Sequence, residues 1–205
     1  MKKLLFLLLP FLLFAVSKNN IFAITWMDGF CEVNHHKKSC KFRKYNDYSH
    51  THFTIHGLWP KHKNYCHYKK MDLDKEFLKE LNIYMPGALD GFAKYEWRKH
   101  GTCFGSDAKE YFLTQIKLLK EFNHSKIRDY FAKHKGEYIT LSKLRLMFKK
   151  EFNSPRKFQL LCKKGYVVEI RMNLYGNPIR ENLKELLKNA DEMIGKRNCQ
   201  RGLIE

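Results

Sequence analysis

Apolar and polar positions alternate along this chain with several periods, and each period predicts a different element. From Leu4 to Val16 the chain is apolar apart from Pro10, behind Lys2 and Lys3. So short a run falls below a comfortable bilayer span, and Ala15-Val16-Ser17 supplies a small-x-small site. Residues 1–17 are therefore expected to be a signal peptide cleaved near Ser17, with an uncleaved anchor or a buried helix as the alternatives. Asn20 to Trp26 is rich in β-forming residues and predicts a first strand closed by Asp28-Gly29. Cys31 to Ser49 is polar, basic and aperiodic, the pattern of a surface loop pinned by its two cysteines. Over Thr51 to Leu58, alternation places Phe53 and Ile55 on one face and His52, Thr54 and His56 on the other. The resulting strand presents His56 at its end, where Gly57 permits close backbone approach.

Helical spacing governs the middle of the chain. Leu73, Phe77, Leu78 and Leu81 form a stripe over Leu73 to Tyr84, broken by Met85-Pro86-Gly87. A central helix follows, with Phe92 and Trp97 as core anchors and Gly101 as its terminator. Ser106-Asp107 caps a helix running to about Phe122, Ser125 to Lys133 is a shorter helix ended near Gly136, and Thr140 caps another over Leu141 to Phe152. Lys157 to Cys162 and Gly165 to Leu174 read as paired strands around Lys163-Lys164-Gly165. Ile179 to Ala190 is an amphipathic helix leading into a basic tail with Cys199. Without repeats or a linker, the pattern predicts one α+β domain over residues 18–205: a mixed, mainly antiparallel sheet packed with several helices, and a monomer by default.

Composition narrows the partners. A chain 44% hydrophobic and 15% aromatic is globular, which excludes disorder. Removing residues 1–17 takes two lysines and no acids from 39 basic and 21 acidic residues, leaving a formal +16. Such an excess fits a polyanionic partner, because phosphates neutralised by Lys or Arg release condensed counterions; the alternative is a lysine-rich solubilising surface. Six cysteines in an exported chain imply disulfides, with the pairing open at this point. There is no CxxC or HExxH spacing, and the adjacent His35 and His36 read as a solvated loop pair, so neither a metal nor another cofactor is indicated.

Two segments carry chemistry. In Tyr95-Glu96-Trp97-Arg98-Lys99-His100-Gly101-Thr102-Cys103, helical spacing projects Glu96, Lys99 and His100 together while Trp97 turns to the core. Thr54-Ile55-His56-Gly57-Leu58-Trp59-Pro60 offers a second histidine. Metal-free phosphodiester cleavage needs a base, an acid and positive charge near the phosphorane. With unperturbed pKa values of about 6.5, two histidines can divide the acid and base roles. Lys99 supplies a cation, and Glu96 can share in stabilising the transition state. If the attacking group is the 2′-hydroxyl of RNA, DNA is excluded by chemistry. The plainer readings are a structural histidine at His56, an exposed ion pair in the helix, and simple packing by Trp59.

Phe53 to Pro60 and Tyr95 to Cys103 resemble the two active-site segments of the ribonuclease T2 family. The likeness extends weakly over the mature chain, from Ile24-Thr25-Trp26 and Phe30-Cys31-Glu32 to the late cysteines. It implies a metal-independent endoribonuclease that makes 2′,3′-cyclic phosphates and then 3′-phosphates, with single-stranded RNA as the expected substrate; once the signal peptide is cleaved the chain is expected to be periplasmic or secreted, without stable membrane insertion. By that resemblance His100 is the base for the 2′-hydroxyl and His56 the acid for the 5′-oxygen. Glu96 and Lys99 stabilise the pentacovalent state, and Trp59 helps form a base site. It also implies the disulfides Cys31-Cys40, Cys66-Cys103 and Cys162-Cys199. The chain departs from the family at Tyr95, where many members place a phosphate-binding histidine; a tyrosine donates a hydrogen bond without charge, which predicts weaker ground-state binding. Lys61 stands where some members carry a base-reading residue, so base preference does not transfer. The competing class is a basic secreted RNA-binding or cytotoxic protein of the same fold whose turnover is incidental or lost.

Overall fold

The computed structural model describes residues 16–193 and 199–205. The expected signal segment therefore lies almost wholly outside the described residues; within them, Ser17 donates its N–H to the Phe104 carbonyl at 2.7 Å. Strand β1 (Asn19–Thr25) lies between β2 (Thr54–Pro60) and β5 (Tyr166–Tyr175), antiparallel to both. Strand β4 (Phe158–Lys163) pairs antiparallel with β5. Strands β3 (Glu137–Thr140) and β6 (Arg201–Ile204) pair with each other, and β6 meets β5 in parallel, Leu203 opposite Tyr166. The sheet is mixed and mainly antiparallel, as the pattern predicts.

The helices are α1 (Met27–Glu32), α2 (Lys38–Lys41), α3 (Lys75–Tyr84), α4 (Phe92–Lys99), α5 (Ala108–Asn123), α6 (Lys126–Lys133), α7 (Leu141–Phe152) and α8 (Leu183–Asn189). Their starts follow capping chemistry. Asp74, Asp107 and Thr140 accept the N–H of the third helical residue of α3, α5 and α7. Asn182 and Glu185 form a reciprocal capping box that starts α8 at Leu183, later than the apolar spacing from Ile179 suggests. Helix α5 packs on β2 and α8 on β5. An aromatic core fills the space between: Phe53 lies 5.1 Å from Trp26 and 5.2 Å from Phe122, and Phe148 stacks on Phe158 at 3.9 Å, all buried.

Three expectations need correction. The stretch from Cys31 to Ser49 is not simply a loop: it contains the end of α1, all of α2 and a 3-10 turn at Tyr48–His50. It is fastened to the body by Asp28, whose buried carboxylate takes Arg43, His50 and Lys135. Asp28-Gly29 does not close the first strand but lies within α1, where a Cβ on Gly29 would collide with the Val167 carbonyl. The basic tail includes β6, a strand of four residues set between β5 and β3 and too short to stand out from sequence. Cys31 pairs with Cys40, Cys66 with Cys103 and Cys162 with Cys199.

Candidate active site

His56 owes its placement to a β-bulge. In the β1–β2 ladder, Ile24 pairs with Ile55 and Ala23 with Gly57, so His56 is the extra residue, and it stands within β2 rather than at its end. The insertion reverses the phase of alternation. Ile55 and Leu58 both enter the core, while His56 and Trp59 share the half-exposed face with ring centroids 5.0 Å apart. Thr54, expected beside His56, is buried instead.

Helix α4 brings the second group. Trp97 is buried, as expected, and its indole N–H donates to the Lys69 carbonyl at 2.9 Å. Phe92 is not a core anchor but half-buried, its ring 5.7 Å from that of His56. Glu96 is 1% exposed and accepts the Trp59 indole N–H at 2.8 Å on Oε2. Burial raises its pKa against the pull of His56, the Trp59 N–H and Lys99. A Cβ on Gly57 would collide with both Glu96 Oε2 and Trp59 Nε1, so glycine there is what lets helix and strand meet.

His100 ends α4 in a non-helical conformation (φ −120°, ψ −43°). The helix therefore stops at Lys99, two residues before Gly101, which does not act as a left-handed terminator. Gly101 opens a 3-10 turn, and a Cβ there would strike the Trp97 ring. The His100 ring is tilted against Trp59 with centroids 5.4 Å apart, so the indole contacts both histidines. Burial, then the charges of Lys99 and His56, lower the His100 pKa to about 4. Its Nδ1 is buried with no hydrogen-bond partner among the described residues, which suits a neutral ring. Lys99 Nζ donates to the Tyr95 hydroxyl at 3.0 Å, and this bond is the main cause raising its pKa. Tyr95 itself is exposed.

Strand β5 contributes two groups absent from the sequence expectations. Glu169 Oε2 bonds His56 Nδ1, and Glu169 Oε1 bonds Arg171 Nε. The Arg171 guanidinium lies 5.1 Å from the Trp59 ring centroid. Burial alone would raise the Glu169 pKa, but the bond and charge of His56 and then Arg171 outweigh it and hold it below the usual carboxylate value. The available signal was a glutamate and an arginine within the apolar run Val167-Val168-Glu169-Ile170-Arg171. Nothing local tied them to a histidine 113 positions away.

The site is braced from behind. The Cys66–Cys103 disulfide, the 2.8 Å bond from Tyr65 N–H to the Lys99 carbonyl and the Trp97–Lys69 bond tie the 61–74 segment to the end of α4. Tyr111 of α5 donates to the Leu58 carbonyl at 2.7 Å and fixes β2 from the core side. A cavity of about 440 Å³ opens beside His56, walled by Phe30, Lys37, Pro86 and Phe92. Among the described residues, no group of three or more His, Cys, Asp or Glu side chains is placed to hold a metal ion, and no helix is long and apolar enough to cross a membrane.

Residues 18–194 match the ribonuclease T2 family, and the chain belongs to it. Ribonuclease I of Escherichia coli K12 is 23% identical over 206 aligned residues, covering 80% of this chain and 77% of that protein. Human ribonuclease T2 is 32% identical over 85 residues, covering 35% of this chain but only 33% of its own length. The self-incompatibility-associated SF11-RNase of Nicotiana alata superposes with a TM-score of 0.63 at 21% identity, covering 92% of this chain and 98% of that one. That likeness establishes the α+β fold.

Proposed function

We propose that this protein is an exported endoribonuclease that cleaves single-stranded RNA by transphosphorylation without a metal. The carrying observation is that His56, Glu96 and His100 all contact Trp59 and that the two histidines have opposite surroundings: a carboxylate on His56, burial and cations around His100. In the first step the neutral His100 takes the proton of the ribose 2′-hydroxyl. The oxygen attacks the adjacent phosphorus, and His56 gives a proton to the departing 5′-oxygen, leaving a 2′,3′-cyclic phosphate. In the second step the roles reverse: water attacks, and the ring opens to a 3′-phosphate. Family membership and the named ribonucleases among its relatives support RNA as the substrate.

The remaining groups stabilise and orient. Lys99 and Glu96 serve the phosphorane. Trp59 occupies Oε2 of Glu96, so Oε1 is left to face a non-bridging oxygen, and burial favours the protonated form that can hydrogen-bond there. Glu169 orients His56: an Nδ1–H held by its carboxylate leaves Nε2 to deliver the proton. Trp59 contacts the substrate base through the exposed part of its ring, and Tyr95 offers its hydroxyl to phosphate. The cavity beside His56 receives the leaving nucleoside.

The test is single-turnover cleavage of an RNA oligomer beside the same oligomer carrying one 2′-deoxynucleotide at the cleaved position. Cleavage only of the all-ribose strand, lost in His100→Ala, is expected. Uncleaved RNA held in a tight, salt-sensitive complex would favour the binding-protein reading instead.

A further inference from the structure

The cavity beside His56 does not end there. A second cavity of about 250 Å³ adjoins it, and Lys38, Ser39, Pro86, Gly87 and Asp90 line both. The boundary is marked by the Lys38–Asp90 ion pair at 3.5 Å, whose side chains are 71% and 47% exposed. A pair so open to water contributes little to stability and can rearrange around a ligand.

Both walls of this extension are built. On one side, residues 37–42 are held by the Cys31–Cys40 disulfide and by the turns that bond Cys40 and Lys41 N–H to the Lys37 carbonyl. On the other, Asn82 Oδ1 accepts the N–H groups of Gly87 (3.1 Å) and Leu89 (3.3 Å), fixing the turn that follows α3. At the far end Phe42 is 75% exposed and Ile83 52% exposed, both lining the second cavity. Neither is needed by the core. An exposed aromatic ring beyond lysines, in a groove continuous with a phosphodiester site, is the combination that single-stranded nucleic acid uses: charge along the backbone and a ring face for a base.

We propose that this second cavity is a subsite for the next nucleotide on the 3′ side, one beyond the leaving nucleoside. Phe42 stacks its base, and Lys37 and Lys38 flank the intervening phosphate. The assignment rests on the reading of His56 as the acid at the 5′-oxygen, which makes its side of the cleft the leaving side. It also gives the Cys31–Cys40 bridge a purpose at the site, as the brace of the wall that carries these residues.

The test compares oligonucleotides with a single cleavable ribose followed by one or by two nucleotides on the 3′ side. For the intact protein the second nucleotide should raise kcat/KM roughly tenfold, chiefly through KM. Phe42→Ala should remove that gain while leaving the shorter substrate within about twofold, and Lys38→Ala should shrink it as salt does. The same pair of strands with a 2′-deoxyribose at the cleavable position, measured by equilibrium binding, should show a matching tightening. Tightening without turnover would refute the catalytic reading and keep the subsite. Turnover with no advantage for the longer strand would overturn the subsite, as would an advantage undiminished by Phe42→Ala or an equal one from an abasic second nucleotide.

Discussion

If Glu169 works through His56, its removal must hurt only reactions whose leaving group needs a proton. Glu169 is 7% exposed and spans His56 and Arg171. Glu169→Gln keeps the shape and an acceptor for Nδ1–H but deletes the charge. A hydrogen bond to a charged group contributes about 1.5–3 kcal/mol, which at about 1.4 kcal/mol per decade is roughly a 10- to 150-fold loss in kcat/KM on RNA. On a nucleoside 3′-(4-nitrophenyl) phosphate, whose phenolate departs unprotonated, the loss should shrink to about threefold, because acid catalysis adds little there. Steady-state kinetics on both substrates, with a melting curve to register any general loosening, make the comparison. Equal losses on the two substrates would refute the reasoning and reduce Glu169 to a structural ion pair.

Gly57→Ala puts a methyl group where Glu96 Oε2 and Trp59 Nε1 meet. Separating that pair should lower kcat/KM by about 10-fold or more on RNA, and unchanged kinetics would show the contact to be dispensable. The His100 pKa of about 4 places the acid limb of the kcat/KM profile. The base must be neutral, so activity should persist as pH falls through 6 and 5 and drop only near 4; an acid limb at the ordinary histidine value would contradict the burial argument. Opening the Cys66–Cys103 bridge, whose partners are 37 residues apart, by a Cys66→Ala, Cys103→Ala double substitution should destabilise by about 4 kcal/mol. For a chain of this size the melting temperature should fall by roughly 10 °C, and a fall below about 2 °C would refute the bracing role.

Local signals read well from sequence and long-range ones did not. Asp74, Asp107 and Thr140 announce their helices because a cap is decided within four residues. Glu96 and His100 were legible as neighbours because one helical turn relates them. Strict alternation over β2 failed at His56, since a bulge depends on register with β1 and leaves no mark in a single strand. Without it, Trp59 would lie on the opposite face from His56. Glu169 and Arg171 were invisible for the same reason: only the packing of β5 brings them to the histidine. Helices α1 and α2 are short and lack an apolar stripe, so the chain from Cys31 to Ser49 looked aperiodic although Asp28, Arg43 and His50 hold it in place.

The most direct measurement takes oxidised mature protein and single-stranded RNA in excess EDTA, with the product ends resolved over time. The two-histidine account predicts 2′,3′-cyclic phosphates appearing first and 3′-phosphates replacing them, with neither formed by His56→Ala or His100→Ala. Cleavage abolished by EDTA, or products ending in 5′-phosphates, would contradict it.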